Sequence, residues 1–168
     1  MKLKREPQID GTIARIPLTQ SMFALVDVED LGLVSGHNWF AKAYGDQVYA
    51  ARHARDQSGA RHEQRMHRAI LPPPPGMVID HINGNGLDNR RKNLRLASKA
   101  QNAQNMKAVC GSSRFKGVYW SKHHSKWVSR IRSGGQTKVL GRFDTEEEAH
   151  KKYCLAALET FREFARFA

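Results

Sequence analysis

The 168 residues predict an α+β fold: a β-rich lead-in, a mixed middle module and a closing three-stranded sheet with one helix. Three observations carry that expectation. Short apolar runs alternate with turn residues along most of the chain, helical spacing shows only in brief stretches and near the C-terminal end, and a polar, glycine-containing segment at Met106–Ser113 divides regions of different character. At this length each module can bury only a modest core.

The lead-in comes first. Ile13, Ile16 and Leu18, then Phe23 to Val28, read as short strands, and Trp39 to Ala43 with Val48 to Ala51 reads as a hairpin around Gly45-Asp46. The pattern HEQRMHRAIL, His62 to Leu71, predicts a short helix. It must stop at Pro72 to Pro75, because proline lacks the N–H donor and clashes with the preceding turn. MVIDH then predicts a strand, INGNGLDNRRKN an irregular loop dense in Asn, Gly and Asp, LRLAS a second strand and KAQNAQNMK a helix. The expected divisions are residues 1–60, 61–106 and 107–168.

Beyond the divide, FKGVYW, KWVSRIR and TKVLGRF predict three antiparallel strands. Thr145-Glu146-Glu147-Glu148 matches a capping box, and Ala149, Tyr153, Ala156, Leu158, Phe161 and Phe164 follow at roughly helical spacing. That helix is expected to cover one face of the sheet. Period-two alternation puts Trp127, Ser129 and Ile131 on the covered face, and Val128, Arg130 and Arg132 on the other. Trp127, Phe143 and Tyr153 read as core.

Charge points to the class of partner. Lys and Arg number 28 against 16 Asp and Glu, a net +12, so the field attracts polyanions, nucleic acid first among them. No run approaches the ~18 apolar residues that a spanning helix needs, and MKLKREPQIDG does not open a signal-peptide core. A soluble cytoplasmic protein is expected. Cys110 and Cys154 belong to no Cys-x-x-Cys pair and read as reduced thiols.

The segment that carries chemistry is Asp80-His81-Ile82-Asn83-Gly84-Asn85, followed by Asn93-Leu94-Arg95 and Gln101-Asn102. Hydrolysis of a phosphodiester needs a base to activate water and a cation to stabilise charge on the phosphate and leaving oxygen. Asp80 offers a hard oxygen ligand, His81 a neutral imidazole, and Asn102 on the following helix a second oxygen ligand. Two protein ligands leave positions for water and phosphate oxygens, as a catalytic Mg²⁺ requires. Asp-His or Asn-Gly alone is ordinarily a turn or strand end; the combined spacing favours catalysis.

These residues resemble the HNH endonucleases, in particular the phage and intron homing type. The likeness rests on His67-Arg68-Ala69-Ile70, Pro73-Pro74-Pro75-Gly76, Asp80-His81-Ile82-Asn83-Gly84-Asn85, Asn93-Leu94-Arg95 and Gln101-Asn102. The resemblance implies a ββα-metal core, ligation of a divalent ion by Asp80 and Asn102, His81 as general base, and Asn93 tying the loop together and orienting His81. Asn102 stands where the signature often has histidine, and an oxygen donor there favours Mg²⁺ or Mn²⁺ over Zn²⁺. His67 either approaches this site or is structural; Arg90, Arg91 and Lys92 either contact phosphate or form a solvated basic loop.

Nine Lys or Arg residues lie from Lys107 to Arg142, an interval without Asp or Glu. Within it and just beyond, Lys116-Gly117-Val118-Tyr119, Lys126-Trp127, Ile131-Arg132, Leu140-Gly141-Arg142-Phe143 and Asp144 to Ala149 with Tyr153 resemble the APETALA/ethylene-response-factor DNA-binding domain. The resemblance implies three strands in the major groove with Lys116, Tyr119, Arg130 and Arg132 facing DNA; Lys138 and Arg142 complete the basic set. Plant members carry arginine at the Tyr119 position, an acidic residue at Arg130 and a groove-facing tryptophan at Val139, so their sequence preference does not carry over.

The reading is a homing-type endonuclease on double-stranded DNA, encoded by a phage or mobile element. A non-catalytic DNA-binding regulator and an RNA-binding protein are the alternatives. The intact Asp-His and both asparagines argue against the first, and a major-groove reader against the second, because A-form RNA hides that groove.

Overall fold

A computed structural model describes residues 6–105 and 112–167. Cys110 and most of the expected linker, residues 106–111, lie outside the described residues. The fold is α+β, with several small antiparallel sheets and few helices, in two compact units that divide between Lys99 and Ala100.

In the first unit, β1 (Gln8–Asp10), β2 (Ile13–Pro17) and β3 (Phe23–Asp27) make a three-stranded sheet, and α1 (Leu31–Val34) follows. The short strand β1 and helix α1 have no counterpart in the sequence pattern, being one turn or less of regular backbone. β4 (Phe40–Tyr44) and β5 (Gln47–Arg55) form the expected hairpin about Gly45-Asp46. The helix expected over His62–Leu71 is only partly formed: Arg61–Arg65 is strand β6, and only Met66–Ile70, α2, is helical. The reason is tertiary. Arg61 to Arg65 pair with Arg55 to Ala51 of β5, and that ladder overrides a weak local helical pattern.

β7 (Met77–His81) and β8 (Leu94–Ser98) pair in register, with Asp80 opposite Arg95 and His81 opposite Leu94; β8 runs into α3 (Lys99–Gln104). Both strands have the bounds that the sequence indicates. One core serves the whole unit: Ala14, Ile16, Ala24 and Val26 pack with Val34, Trp39, Met66, Ile70, Ile79 and Leu94. The Trp39 indole N–H is satisfied by the Val34 carbonyl at 2.8 Å.

In the second unit, β9 (Val118–Ser121), β10 (Lys126–Ser133) and β11 (Gln136–Phe143) form an antiparallel sheet with β10 in the middle, and α4 (Glu146–Phe161) packs on it. The capping box is complete: Thr145 Oγ1 accepts from the Glu148 N–H at 3.2 Å, and Glu148 accepts from the Thr145 N–H. Ile131, Tyr153 and Ala157 centre the core. The buried stripe of α4 is Ala149, Tyr153 and Ala157, a four-residue step, which turns Leu158 outward to 50% exposure against the expectation. Val128, expected on the open face, is buried as well. It sits in the central strand between Tyr119 and Arg142, whose long side chains flank it. A bulge between Ser129 and Arg130 shifts the register against β11. Gly117, at φ 75°, passes the Tyr153 ring so closely that a Cβ would stand 2.1 Å from it.

Candidate active site and nucleic-acid face

His81 ends β7 and is 5% exposed. Its Nε2 lies 3.5 Å from Asn89 Oδ1, and its ring meets His67 at 5.0 Å and Tyr49 at 5.8 Å between centroids. Tyr49 also meets His67, at 5.8 Å. Burial pushes the His81 pKa down, opposed by Asn89 and by the carboxylates of Asp80 and Asp88, so the imidazole is neutral at neutral pH. His67 is driven further, to about 3, by burial and then by His81, Arg65 and Arg68.

Asp80, the neighbouring residue, is buried, and its Oδ2 accepts from Arg95 Nε at 2.8 Å across the β7–β8 ladder. A hard carboxylate oxygen beside a neutral imidazole fits a divalent cation. Among the described residues, no group of three or more His, Cys, Asp or Glu side chains gathers to hold a metal ion. Asn102 lies on α3, four residues beyond the end of β8.

The loop from Ile82 to Asn93 is held by its own polar groups. Asn93 Oδ1 accepts from the Asn83 N–H at 3.0 Å, Asn93 Nδ2 donates to the Asp88 carbonyl at 2.7 Å, and Asn83 Nδ2 donates to Asp88 Oδ2 at 3.0 Å. Asn93 therefore ties the loop together, while Asn89 is the residue that faces His81 directly. The loop is also fastened to the first sheet. Leu25 of β3 exchanges backbone hydrogen bonds with Leu87 and Asn89, both at 2.8 Å, and Asp27 and Asp30 accept from Arg91. Gly86 allows the approach: a Cβ there would stand 2.5 Å from the Val48 carbonyl and 2.7 Å from the Tyr49 ring.

Of the basic loop residues, Arg90 makes a two-bond fork with Asp88 at 2.7 and 2.6 Å, Arg91 pairs with Asp30, and Lys92 is exposed. In the second unit, Arg130 stacks on Tyr119 at 4.8 Å, and both share a face with Arg132 and Arg142. Lys138 stands opposite Ile131 and so belongs to the other face. Lys116 is half-buried, with its ammonium on the Gln104 carbonyl.

A profile of the HNH endonucleases matches residues 72–104, and a profile of the AP2 domain matches residues 113–162. An uncharacterised HNH endonuclease of Acanthamoeba polyphaga mimivirus is 32% identical over 149 residues, 85% of this chain and 73% of that protein. The chain belongs to the HNH endonuclease family. This HNH protein carries a C-terminal AP2-type DNA-binding domain. It is also 40% identical over 77 residues to Protein 3.8 of Escherichia phage T7, spanning 45% of this chain and 64% of that one. No solved structure matches it. Sequence reasoning gave no individual role to Asn89, Tyr49 or Arg95. Asn89 and Arg95 stand within the segments that it read, whereas Tyr49 reaches His81 from β5, far off in the chain.

Proposed function

We propose that the chain is a homing-type DNA endonuclease that hydrolyses phosphodiester bonds of double-stranded DNA, with a ββα-metal core and a reader in its AP2 domain. The observation that carries this reading is the buried, neutral His81 held against Asn89 at the end of β7, beside Asp80. His81 takes the proton of the attacking water. Asn89 faces its Nε2, and Asn93 keeps the loop closed around it. Asp80 and Asn102 would hold the divalent cation, Mg²⁺ or alternatively Mn²⁺. When bound, that ion neutralises charge on the phosphate and on the departing 3′ oxygen. Arg130, Arg132, Tyr119 and Arg142 lie against DNA from one sheet face, with Lys116 and the loop residues Arg90, Arg91 and Lys92 adding phosphate contacts; Lys138, on the other face, is left out of this set. The viral sources of both relatives support a mobile, phage-like element acting in its host's cytoplasm.

The test is incubation with supercoiled plasmid and Mg²⁺, with and without chelator. Wild-type protein should cut only with the ion, and His81→Ala should cut roughly a hundred- to ten-thousandfold more slowly while still binding DNA. Asp80→Ala and Asn102→Ala should each raise the Mg²⁺ concentration for half-maximal cutting. Cleavage by His81→Ala at the wild-type rate would remove the base assignment.

A further inference from the structure

One face of the β4–β5–β6 sheet carries a cation that its neighbours do not neutralise. Pairing of Lys42 with Tyr49 and of Ala51 with Arg65 puts Lys42, Tyr44, Tyr49 and Arg65 on the same face. The guanidinium carbon of Arg65 lies 4.2 Å from the centroid of the Tyr44 ring and 4.8 Å from that of Tyr49. Among the described residues, the side chain of Arg65 makes no hydrogen bond and no ion pair. The carboxylate two residues away, Glu63, is taken by Lys42 and the Tyr44 hydroxyl. Stacking occupies the flat faces of a guanidinium and leaves its rim of N–H donors for another acceptor.

Arg65 is also close to His81, the proposed base, and to His67. It is the last residue of β6, two before His67, and the Tyr49 ring beside it packs against both His67 and His81, 5.8 Å from each. Its positive charge contributes to keeping both imidazoles neutral. Two tyrosine rings thus fix a planar cation beside the base, with the donor geometry that matches two oxygens of a phosphate.

We propose that Arg65, clamped by Tyr44 and Tyr49, is a catalytic residue that binds the non-bridging oxygens of the scissile phosphate and stabilises the negative charge that builds on them. The inference rests on the reading of His81 as the base of a nuclease. Such a donor works mainly in the transition state, so its loss lowers turnover more than binding.

The experiment is single-turnover cleavage of supercoiled plasmid with Mg²⁺ at saturating protein, with DNA affinity measured separately in the absence of metal. Arg65→Ala should cut roughly a hundred- to a thousandfold more slowly with nearly unchanged affinity. Arg65→Lys, which keeps the charge but not the fork, should fall between the two. Arg61→Ala, an exposed cation four residues earlier on the same strand, should cut like wild type. Cleavage by Arg65→Ala at the wild-type rate overturns the inference, as does a loss that more protein restores. Should Arg65→Ala fail to fold, Arg65→Lys decides: wild-type cutting by it overturns the inference. If wild-type protein does not cut, the nuclease reading falls as well; if it cuts and Arg65→Ala cuts equally, only the role of Arg65 falls.

Discussion

His67 keeps its imidazole uncharged because two rings, Tyr49 and His81, are packed against it and solvent is excluded. Its folded pKa of about 3 lies below the ordinary 6.5, which fixes the sign of the linkage. Above about pH 6.5 both folded and unfolded chains carry it neutral, and it contributes no pH dependence. As the pH falls from there toward 3, the unfolded chain takes a proton that the folded chain refuses, and stability is lost at up to about 1.4 kcal/mol per pH unit. His67→Gln should flatten that slope by one proton. Urea unfolding of metal-free protein at a series of acid pH values measures it; an unchanged slope would mean that His67 is protonated in the fold. His81 acts in the same direction, its pKa being lowered too.

The loop from Ile82 to Asn93 shows how an element without regular structure is made rigid. Asparagine and aspartate side chains replace the missing backbone ladder, and Gly86 lets the chain touch the β5 backbone. Gly86→Ala should cost about 1 to 3 kcal/mol, since the Val48 carbonyl cannot retreat as a flexible side chain would. It should also depress cleavage, because the displaced Tyr49 ring packs on both histidines; equal stability in urea would show that the loop shifts freely. Much of this element is legible in the sequence. Its flanking strands announce themselves by composition, as MVIDH and LRLAS do, and its turn residues say that it is irregular. What the sequence cannot announce is the partner. Nothing near Leu87 or Asn89 names Leu25, nothing near His81 names Tyr49, and HEQR becomes strand only because β5 stands beside it. The exposed Leu158 and buried Val128 have the same origin, in which neighbour the fold supplies.

For the whole molecule, the net charge of +12 predicts tight, salt-sensitive binding to any duplex, on which selectivity must be superimposed. Arg130→Ala and Arg132→Ala separate the two. A side chain bidentate to guanine should cost roughly 1 to 3 kcal/mol at one base pair and relax preference there, whereas a phosphate contact should weaken all sequences and reduce the salt slope by about one. We expect the base-reading pattern from at least one of them, measured on a library of duplexes at two or more salt concentrations. Wild-type affinity, preference and slope in both would show that this face does not touch DNA. The fastening of the loop to the first sheet also has a consequence in time. Arg91 is 64 residues from Asp27 and 61 from Asp30, so these contacts close only after a long stretch of chain has been made. During synthesis β3 leaves the ribosome well ahead of the segment it receives. A chain interrupted before Arg91 lacks the Asp27 and Asp30 clasp, so a half-made protein does not yet hold the geometry on which cutting would depend.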